Sequence, residues 1–93
     1  MVYHLSRNKR SIKGIIEIGG SKSESNRLLM LREYSSDFKI TNLSKSDDTK
    51  TLVDALANTD KIIDVNHAGT AMRFLASYYA SKLNSEITLT GSD

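Results

Sequence analysis

The chain has 93 residues, of which 39% are apolar and 26% charged, with no cysteine, no proline and a net charge of +2. A chain of this length can form one small domain with a thin core, and without cysteine it can form neither disulfides nor a thiolate metal site. Residues 1–45 carry nine Lys or Arg against four Asp or Glu, whereas residues 46–93 carry four against seven. The basic first half indicates an anionic partner, either a nucleic acid or a phosphorylated small molecule; an unevenly charged solvated surface explains it equally well.

Apolar residues along the chain recur with either the two-residue period of a strand or the 3.6-residue period of a helix. In chain order the pattern predicts a strand at 12–18, a helix at 23–34, a strand at 38–41, a helix at 47–57, a strand at 61–65, a helix at 70–83 and a strand at 86–90. This βαβαβαβ order favours an α/β fold in which helices cover a sheet.

Each predicted helix has an apolar stripe that we expect to face the core. In order, the three stripes are Leu28, Leu31 and Tyr34; Leu52, Val53 and Leu56; and Met72, Leu75, Ala76 and Tyr79. Polar residues such as Asn26 and Glu33 fall elsewhere on the first helix.

The first helix follows the turn Gly19–Gly20 and begins with the sequence SKSESNR. Ser21 and Glu24 fit a capping box, which fixes where the helix begins. The second helix is likewise preceded by a serine-rich cap, Ser44 to Ser46, and begins with two carboxylates, which the helix dipole favours in a first turn. Because adjacent helical residues point about 100° apart, we interpret Asp47 and Asp48 as capping residues rather than as an acid–base pair.

The beginning of the first helix has the composition of an anion site. Its unpaired N–H groups and the positive end of its dipole attract anions. Lys22 adds a charge, Ser23 a hydroxyl, and Arg27 a planar fork one turn later on the same face. The alternative is a capped helix with two solvated basic residues. The spacing matches neither a Walker P-loop nor a dinucleotide-binding turn.

A second turn leads into the third helix with the sequence HAGTAMR from His67 to Arg73. Gly69 allows a ligand to approach the backbone closely, and Thr70 can cap the helix. Taken alone, an ordinary glycine turn with a threonine cap is the better explanation of these residues.

Four segments in order carry a family resemblance: SKSESNR at 21–27, NLSKSDDT at 42–49, HAGTAMRFL at 67–75 and LTG at 89–91. Together they resemble 5-enolpyruvylshikimate-3-phosphate synthase, also called 3-phosphoshikimate 1-carboxyvinyltransferase. The resemblance implies transfer of the enolpyruvyl group from phosphoenolpyruvate to the 5-hydroxyl of shikimate 3-phosphate, in the shikimate pathway to aromatic amino acids.

The family fold consists of two domains built from βαβαββ units, with the active site between them. The resemblance therefore implies an α/β (α+β) partial domain in which helices pack on a mixed sheet. Residues 1–20 would be a strand segment that pairs with the other domain, and residues 21–93 the first part of the substrate-binding domain. We expect an N-terminal fragment of a longer enzyme, inactive by itself.

The resemblance also implies roles for individual residues. Lys22 would be catalytic and contact both substrates, while Ser23 and Arg27 would bind shikimate 3-phosphate. The backbone of Gly69 would lie near phosphoenolpyruvate, where the herbicide glyphosate competes. The same turn supplies three possible supporting residues, which are His67, Thr70 and Arg73.

The chain departs from the family pattern in three places. Gly19 stands where the family usually has proline, and His67 replaces the usual asparagine, which alters the polarity expected at the phosphoenolpyruvate pocket. The stretch from Leu56 to Asn66 is also shorter than in many relatives.

The remaining expectations concern partners and location. The chain has no apolar run near the ~20 residues of a membrane helix and no secretory leader pattern, so we expect a cytoplasmic protein without a membrane partner. Two isolated histidines, His4 and His67, do not make a metal site, and we expect no metal, no cofactor and no nucleic acid.

Two alternatives remain open. One is a small basic module that binds nucleic acid through the cluster from Arg7 to Lys13, although Tyr3 is its only nearby aromatic residue. The other is an interaction unit without catalysis, whose open sheet edges pair with another copy.

Overall fold

Three helices and two short strands form the structure, a computed structural model that describes residues 1–92. In chain order the elements are α1 (Lys22–Tyr34), α2 (Asp47–Ala57), β1 (Ile62–Asp64), α3 (Gly69–Ser81) and β2 (Thr88–Thr90). The predicted α/β character is confirmed, and each predicted helix is present with its ends shifted by at most two residues. Within residues 1–92, no helix is both long enough and apolar enough to cross a bilayer.

The two strands pair in parallel, with Ile62 opposite Thr88 and Asp64 opposite Thr90. Helix α3 connects them, so β1, α3 and β2 form one βαβ unit of the kind that parallel pairing requires. The strands predicted at 61–65 and 86–90 are thus confirmed in shorter form. Within residues 1–92 the sheet has two strands and is parallel, so the mixed sheet is not found there.

The strands predicted at 12–18 and 38–41 are wrong, because neither segment has regular structure. Ile15, Ile16 and Ile18 are exposed instead of alternating between core and solvent. A strand needs a hydrogen-bonded neighbour, and no strand of the described chain pairs with either segment. The β-branched composition of 12–18 therefore indicates strand propensity without a partner.

The core lies where α2, α3 and β1 meet. Its buried apolar residues are Leu29, Leu52, Ala55, Ile63, Val65, Ala68, Ala71 and Leu75. Leu52 and Leu75 were predicted correctly, and most other residues of their two stripes pack partly buried around them. The exception is Ala76, which is exposed.

Helix α1 does not bury its predicted apolar stripe. Leu28, Leu31 and Tyr34 are exposed, and Leu29 is the only fully buried apolar residue of this helix. The other buried residues of α1 are Ser25 and Asn26. The prediction failed because α1 packs on α2 partly through polar side chains, which an apolar pattern does not reveal.

Replacing Leu52 with alanine tests the position of the core. Leu52 is fully buried, so Leu52→Ala is expected to lower the free energy of unfolding by about 2–5 kcal/mol through lost burial and an unfilled cavity. Urea denaturation followed by circular dichroism measures the change. Leu31→Ala is the matched control, and because Leu31 is exposed its effect should stay within about 0.5 kcal/mol. Equal effects of the two substitutions would contradict this core.

Candidate functional site

The turn before α1 lies directly against the loop that leads to α2. A side chain at Gly20 would overlap the backbone carbonyl of Asn42 and crowd the amide of Ser44. By contrast, a side chain at Gly19 would meet open space. Gly20 is therefore the glycine that this turn requires, because only a residue without Cβ permits the close backbone approach.

Helix α1 begins where the sequence predicts. The Ser21 hydroxyl accepts a hydrogen bond from the Glu24 amide at 3.3 Å, which is the N-cap half of the capping box. Lys22 and Ser23 are exposed in the first turn, and Arg27 is exposed one turn later. The positive end of the α1 dipole thus presents two cations and a hydroxyl to solvent.

Other side chains of the same turns are buried and polar. The Asn26 amide nitrogen donates to an Asp48 carboxylate oxygen at 2.7 Å, and its carbonyl oxygen accepts from the Thr49 hydroxyl at 2.8 Å. Asn26 and Thr49 are both completely buried. Because both ends of the Asn26 amide are used, its burial leaves no polar atom without a partner.

Three serines extend this contact between α1 and the loop before α2. The Ser44 amide donates to the Ser25 hydroxyl at 2.9 Å, and the Ser46 amide donates to the Ser44 hydroxyl at 3.1 Å. The Ser46 hydroxyl caps α2 by accepting from the Thr49 amide at 3.3 Å, and it donates to the Thr49 hydroxyl at 2.9 Å. No buried side-chain polar atom of residues 1–92 lacks a partner.

We call Ser25, Asn26, Ser44, Ser46, Asp48 and Thr49 the polar clamp. It revises the interpretation of Asp48, whose carboxylate accepts from α1 in addition to standing in the first turn of α2. Sequence reasoning missed the clamp. The available signal was the pair of small polar residues in the interior of a predicted helix, since serine and asparagine are unfavourable there unless their side chains have partners.

The turn before α3 positions the second group of predicted residues. Asn66 adopts a left-handed conformation with φ 51°, and the Gly69 amide donates to the His67 carbonyl at 3.0 Å. The predicted threonine cap is wrong. Thr70 lies inside α3, the N-cap position is Ala68, and no side chain caps this helix.

Thr70 instead contacts a cation of the same helix. The Arg73 guanidinium donates to the Thr70 hydroxyl at 3.4 Å. The N–H groups of the first turn of α3 therefore meet no capping side chain, and a guanidinium lies one turn away. A side chain at Gly69 would meet only the Arg73 guanidinium, at 3.9 Å, so the backbone of Gly69 is open to approach.

His67 borders two small cavities. One, of about 230 Å³, lies between the first turns of α2 and the turn before α3, and its polar lining includes Asp47, Lys50 and Asp54. The other, of about 210 Å³, lies between that turn and the end of β2 at Gly91. His67 thus lies between the beginning of α2 and the beginning of α3.

All three helices begin at the same end of the molecule. The polar clamp joins the beginnings of α1 and α2, and the 230 Å³ cavity separates the beginning of α2 from the turn before α3. The beginning of α2 therefore lies between the two groups of predicted site residues. One group is Lys22, Ser23 and Arg27, and the other is His67 to Arg73. Within residues 1–92, no side-chain hydrogen bond joins the two groups directly.

A larger groove of about 420 Å³ lies between α1 and α3. Apolar and aromatic side chains line it, including Met30, Tyr34, Phe74 and Tyr78, with Arg27 at one side. The Tyr34 and Tyr78 rings meet edge to face at 5.9 Å. Near this groove, burial raises the pKa of the Tyr79 phenol, and Tyr78 raises it further. The composition of the groove does not suit a multiply charged anion.

The basic cluster from Arg7 to Lys13 lies in an exposed segment without regular structure. Within residues 1–92, no group of three or more histidine, cysteine or acidic residues is arranged to hold a metal ion. The nucleic-acid alternative stays a prediction.

Over 83 residues the chain is 42% identical to the 3-phosphoshikimate 1-carboxyvinyltransferase of a Bacteroides fragilis strain. The predicted family resemblance is confirmed. The transferase of a second strain of that species is 41% identical over 83 residues.

Each match covers 88% of this chain and 20% of the transferase. The chain therefore spans about a fifth of the length of the curated transferases it matches. No family model matches the chain, and no solved structure does.

Adding one methyl group at Gly20 tests the close approach before α1. Gly20→Ala is expected to lower the free energy of unfolding by about 1–3 kcal/mol, since the new Cβ would overlap the Asn42 carbonyl. Thermal unfolding followed by circular dichroism measures the change.

Gly19→Ala is the matched control, because its Cβ would enter open space. It is expected to be neutral or to stabilise by less than about 1 kcal/mol by restricting the unfolded chain. If both substitutions were equally tolerated, Gly20 would not lie against the Asn42 loop.

Proposed function

We propose that this chain supplies part of a 3-phosphoshikimate 1-carboxyvinyltransferase, the enzyme of the shikimate pathway that moves the enolpyruvyl group of phosphoenolpyruvate to shikimate 3-phosphate. The observation that carries the proposal is the 42% identity to an enzyme of that name, in a chain whose first helix begins with exposed Lys22, Ser23 and Arg27. Residues 21–93 form the first part of the substrate-binding domain, and residues 1–20 pair with the other domain.

In the proposed reaction the 5-hydroxyl oxygen of shikimate 3-phosphate bonds to the enol carbon of phosphoenolpyruvate and loses its proton, while the neighbouring methylene carbon gains a proton and becomes a methyl group. Phosphate then leaves from the tetrahedral intermediate, and loss of a proton restores the double bond. Lys22 contacts both substrates and balances charge near the reacting centre. Ser23 and Arg27 bind shikimate 3-phosphate, the serine through its hydroxyl and the arginine through its two-pronged guanidinium.

The arrangement of the helices supports anionic substrates. A helix N-terminus stabilises a nearby anion by about 0.3–1 kcal/mol at an exposed site, and three helices begin at one end of this molecule. The open backbone of Gly69 suits the approach of phosphoenolpyruvate, in the region where glyphosate would compete. His67, Thr70 and Arg73 support that turn.

The proposed site in this chain has three cations, Lys22, Arg27 and Arg73, for two multiply charged substrates. We propose that the groups for proton transfer and most of the phosphoenolpyruvate-binding cations belong to other parts of a longer enzyme. The 93-residue chain would then bind its substrates weakly and would not catalyse. The proposed enzyme acts in the cytoplasm on small anionic substrates and needs no cofactor.

A chimaera provides the test of this function. The matched 83-residue region of a Bacteroides fragilis transferase would be replaced by the corresponding region of this chain. We expect phosphate release that requires both substrates. Lys22→Ala in the chimaera should lower kcat/KM by about 100-fold or more, because a cation near the developing charge would be lost.

Lys39→Ala is the matched control, since Lys39 is an exposed lysine in the loop between α1 and α2 with no proposed role. Its kcat/KM should equal that of the parent chimaera. A chimaera that unfolds cooperatively but releases no phosphate would contradict the function. Turnover that survives Lys22→Ala within a few fold would contradict the role of Lys22 alone.

A further inference from the structure

We infer that Asn26 and Thr49 are positioning residues for the anion site at the beginning of α1, an inference that rests on the proposed function. Neither side chain would contact the substrate. They act through Lys22, Ser23 and Arg27 by fixing the direction in which the first turns of α1 point.

The clamp and the anion-binding groups occupy the same two turns of α1. Asn26 directly precedes Arg27 and follows Lys22 by four residues, about one helical turn. Lys22, Ser23 and Arg27 are exposed, whereas Asn26 is completely buried. A rotation or tilt of this part of α1 would therefore break the clamp and displace the exposed groups together.

Apolar packing does little to fix the beginning of α1. Leu29 is the one fully buried apolar residue of the helix, and the contacts of Met30 with the core and of Tyr34 with Tyr78 lie further along it. Three hydrogen bonds join α1 to residues 44–49, and all three lie near the beginning of α1. Hydrogen bonds depend strongly on direction and apolar contacts do not, so these bonds set the orientation of the helix.

The hydrogen bonds of Asn26 suit a role in positioning α1 better than a role in stability alone. A buried amide contributes little net stability when both its ends are satisfied, and a well-packed apolar pair could replace it at little cost. What an apolar pair could not supply is a fixed angle between α1 and α2. Positioned groups are sensitive to such angles, because a shift of about 1 Å can weaken function by about 100-fold.

The valine and serine substitutions at position 49 separate positioning from packing. Thr49→Val keeps the shape of the side chain and removes the hydroxyl that bonds the Asn26 carbonyl, whereas Thr49→Ser keeps that hydroxyl. Ile63→Val, a buried core substitution in β1, serves as a destabilised control. These mild changes avoid the unfolding that removal of Asn26 itself could cause.

The experiment uses the 93-residue chain labelled with nitrogen-15. Hydrogen exchange of the backbone amides of Ser44 and of Asn26 to Leu29 is compared with that of the α3 amides. In a second measurement, shikimate 3-phosphate is titrated while the chemical shifts of the Lys22 and Ser23 amides are followed. In Thr49→Val we expect amide hydrogen exchange to accelerate about tenfold more in α1 than in α3. We also expect the affinity for shikimate 3-phosphate to fall about tenfold. Thr49→Ser and Ile63→Val should keep the affinity of the wild type.

The outcomes separate the two proposals. If Thr49→Val binds shikimate 3-phosphate as tightly as the wild type, or accelerates exchange equally in all helices, positioning is wrong while the proposed function stands. A loss of affinity as large in Ile63→Val also overturns positioning. If the Lys22 and Ser23 amides of the wild-type chain show no chemical-shift change even with a large excess of shikimate 3-phosphate, the positioning role is overturned, whereas the proposed function is tested separately by phosphate release from the chimaera.

Discussion

Helices α1 and α2 are joined by a buried amide, that of Asn26, which bonds a carboxylate at one end and a hydroxyl at the other. Burying such a group without partners would cost several kcal/mol in an apolar setting, and the polar clamp removes that cost by satisfying every atom. The arrangement holds only in one relative placement of the two helices. The location of Lys22, Ser23 and Arg27 depends on that placement, as does the approach of Gly20 to the Asn42 loop.

Helix α2 connects the polar clamp to the core. Its polar first turn belongs to the clamp, while Leu52 and Ala55 belong to the core shared with α3 and β1. The βαβ unit of β1, α3 and β2 is thereby held so that the turn at His67 lies next to the first turns of α2. The proposed anion-binding groups come from separate stretches of sequence, and α2 is the element that relates them.

The helices and the βαβ unit could be predicted because local signals mark them. Ser21 and Ser46 cap as expected, and the apolar period of α2 and α3 identifies Leu52 and Leu75. Prediction failed for residues whose structure or burial depends on tertiary contacts. The isoleucines at 12–18 have strand composition but no pairing strand within residues 1–92, and the exposed Leu31 could not be distinguished from a core residue by spacing. Composition alone predicts an anion site at Lys22, Ser23 and Arg27. The proposed roles of these residues and of Gly69 toward particular substrates came from the resemblance, since exposed residues of this kind look like ordinary solvated side chains.

The side-chain hydrogen bonds of the polar clamp also run in one direction. Its hydroxyls and amide form a chain in which Ser46 donates to Thr49, Thr49 to Asn26, and Asn26 to Asp48. A carboxylate can only accept, so the chain ends at Asp48 and cannot run in reverse. Turning the Asn26 amide over would set its oxygen against the Asp48 carboxylate and its nitrogen against the Thr49 hydroxyl. One acidic side chain in α2 thus determines which way round an amide side chain in α1 is held.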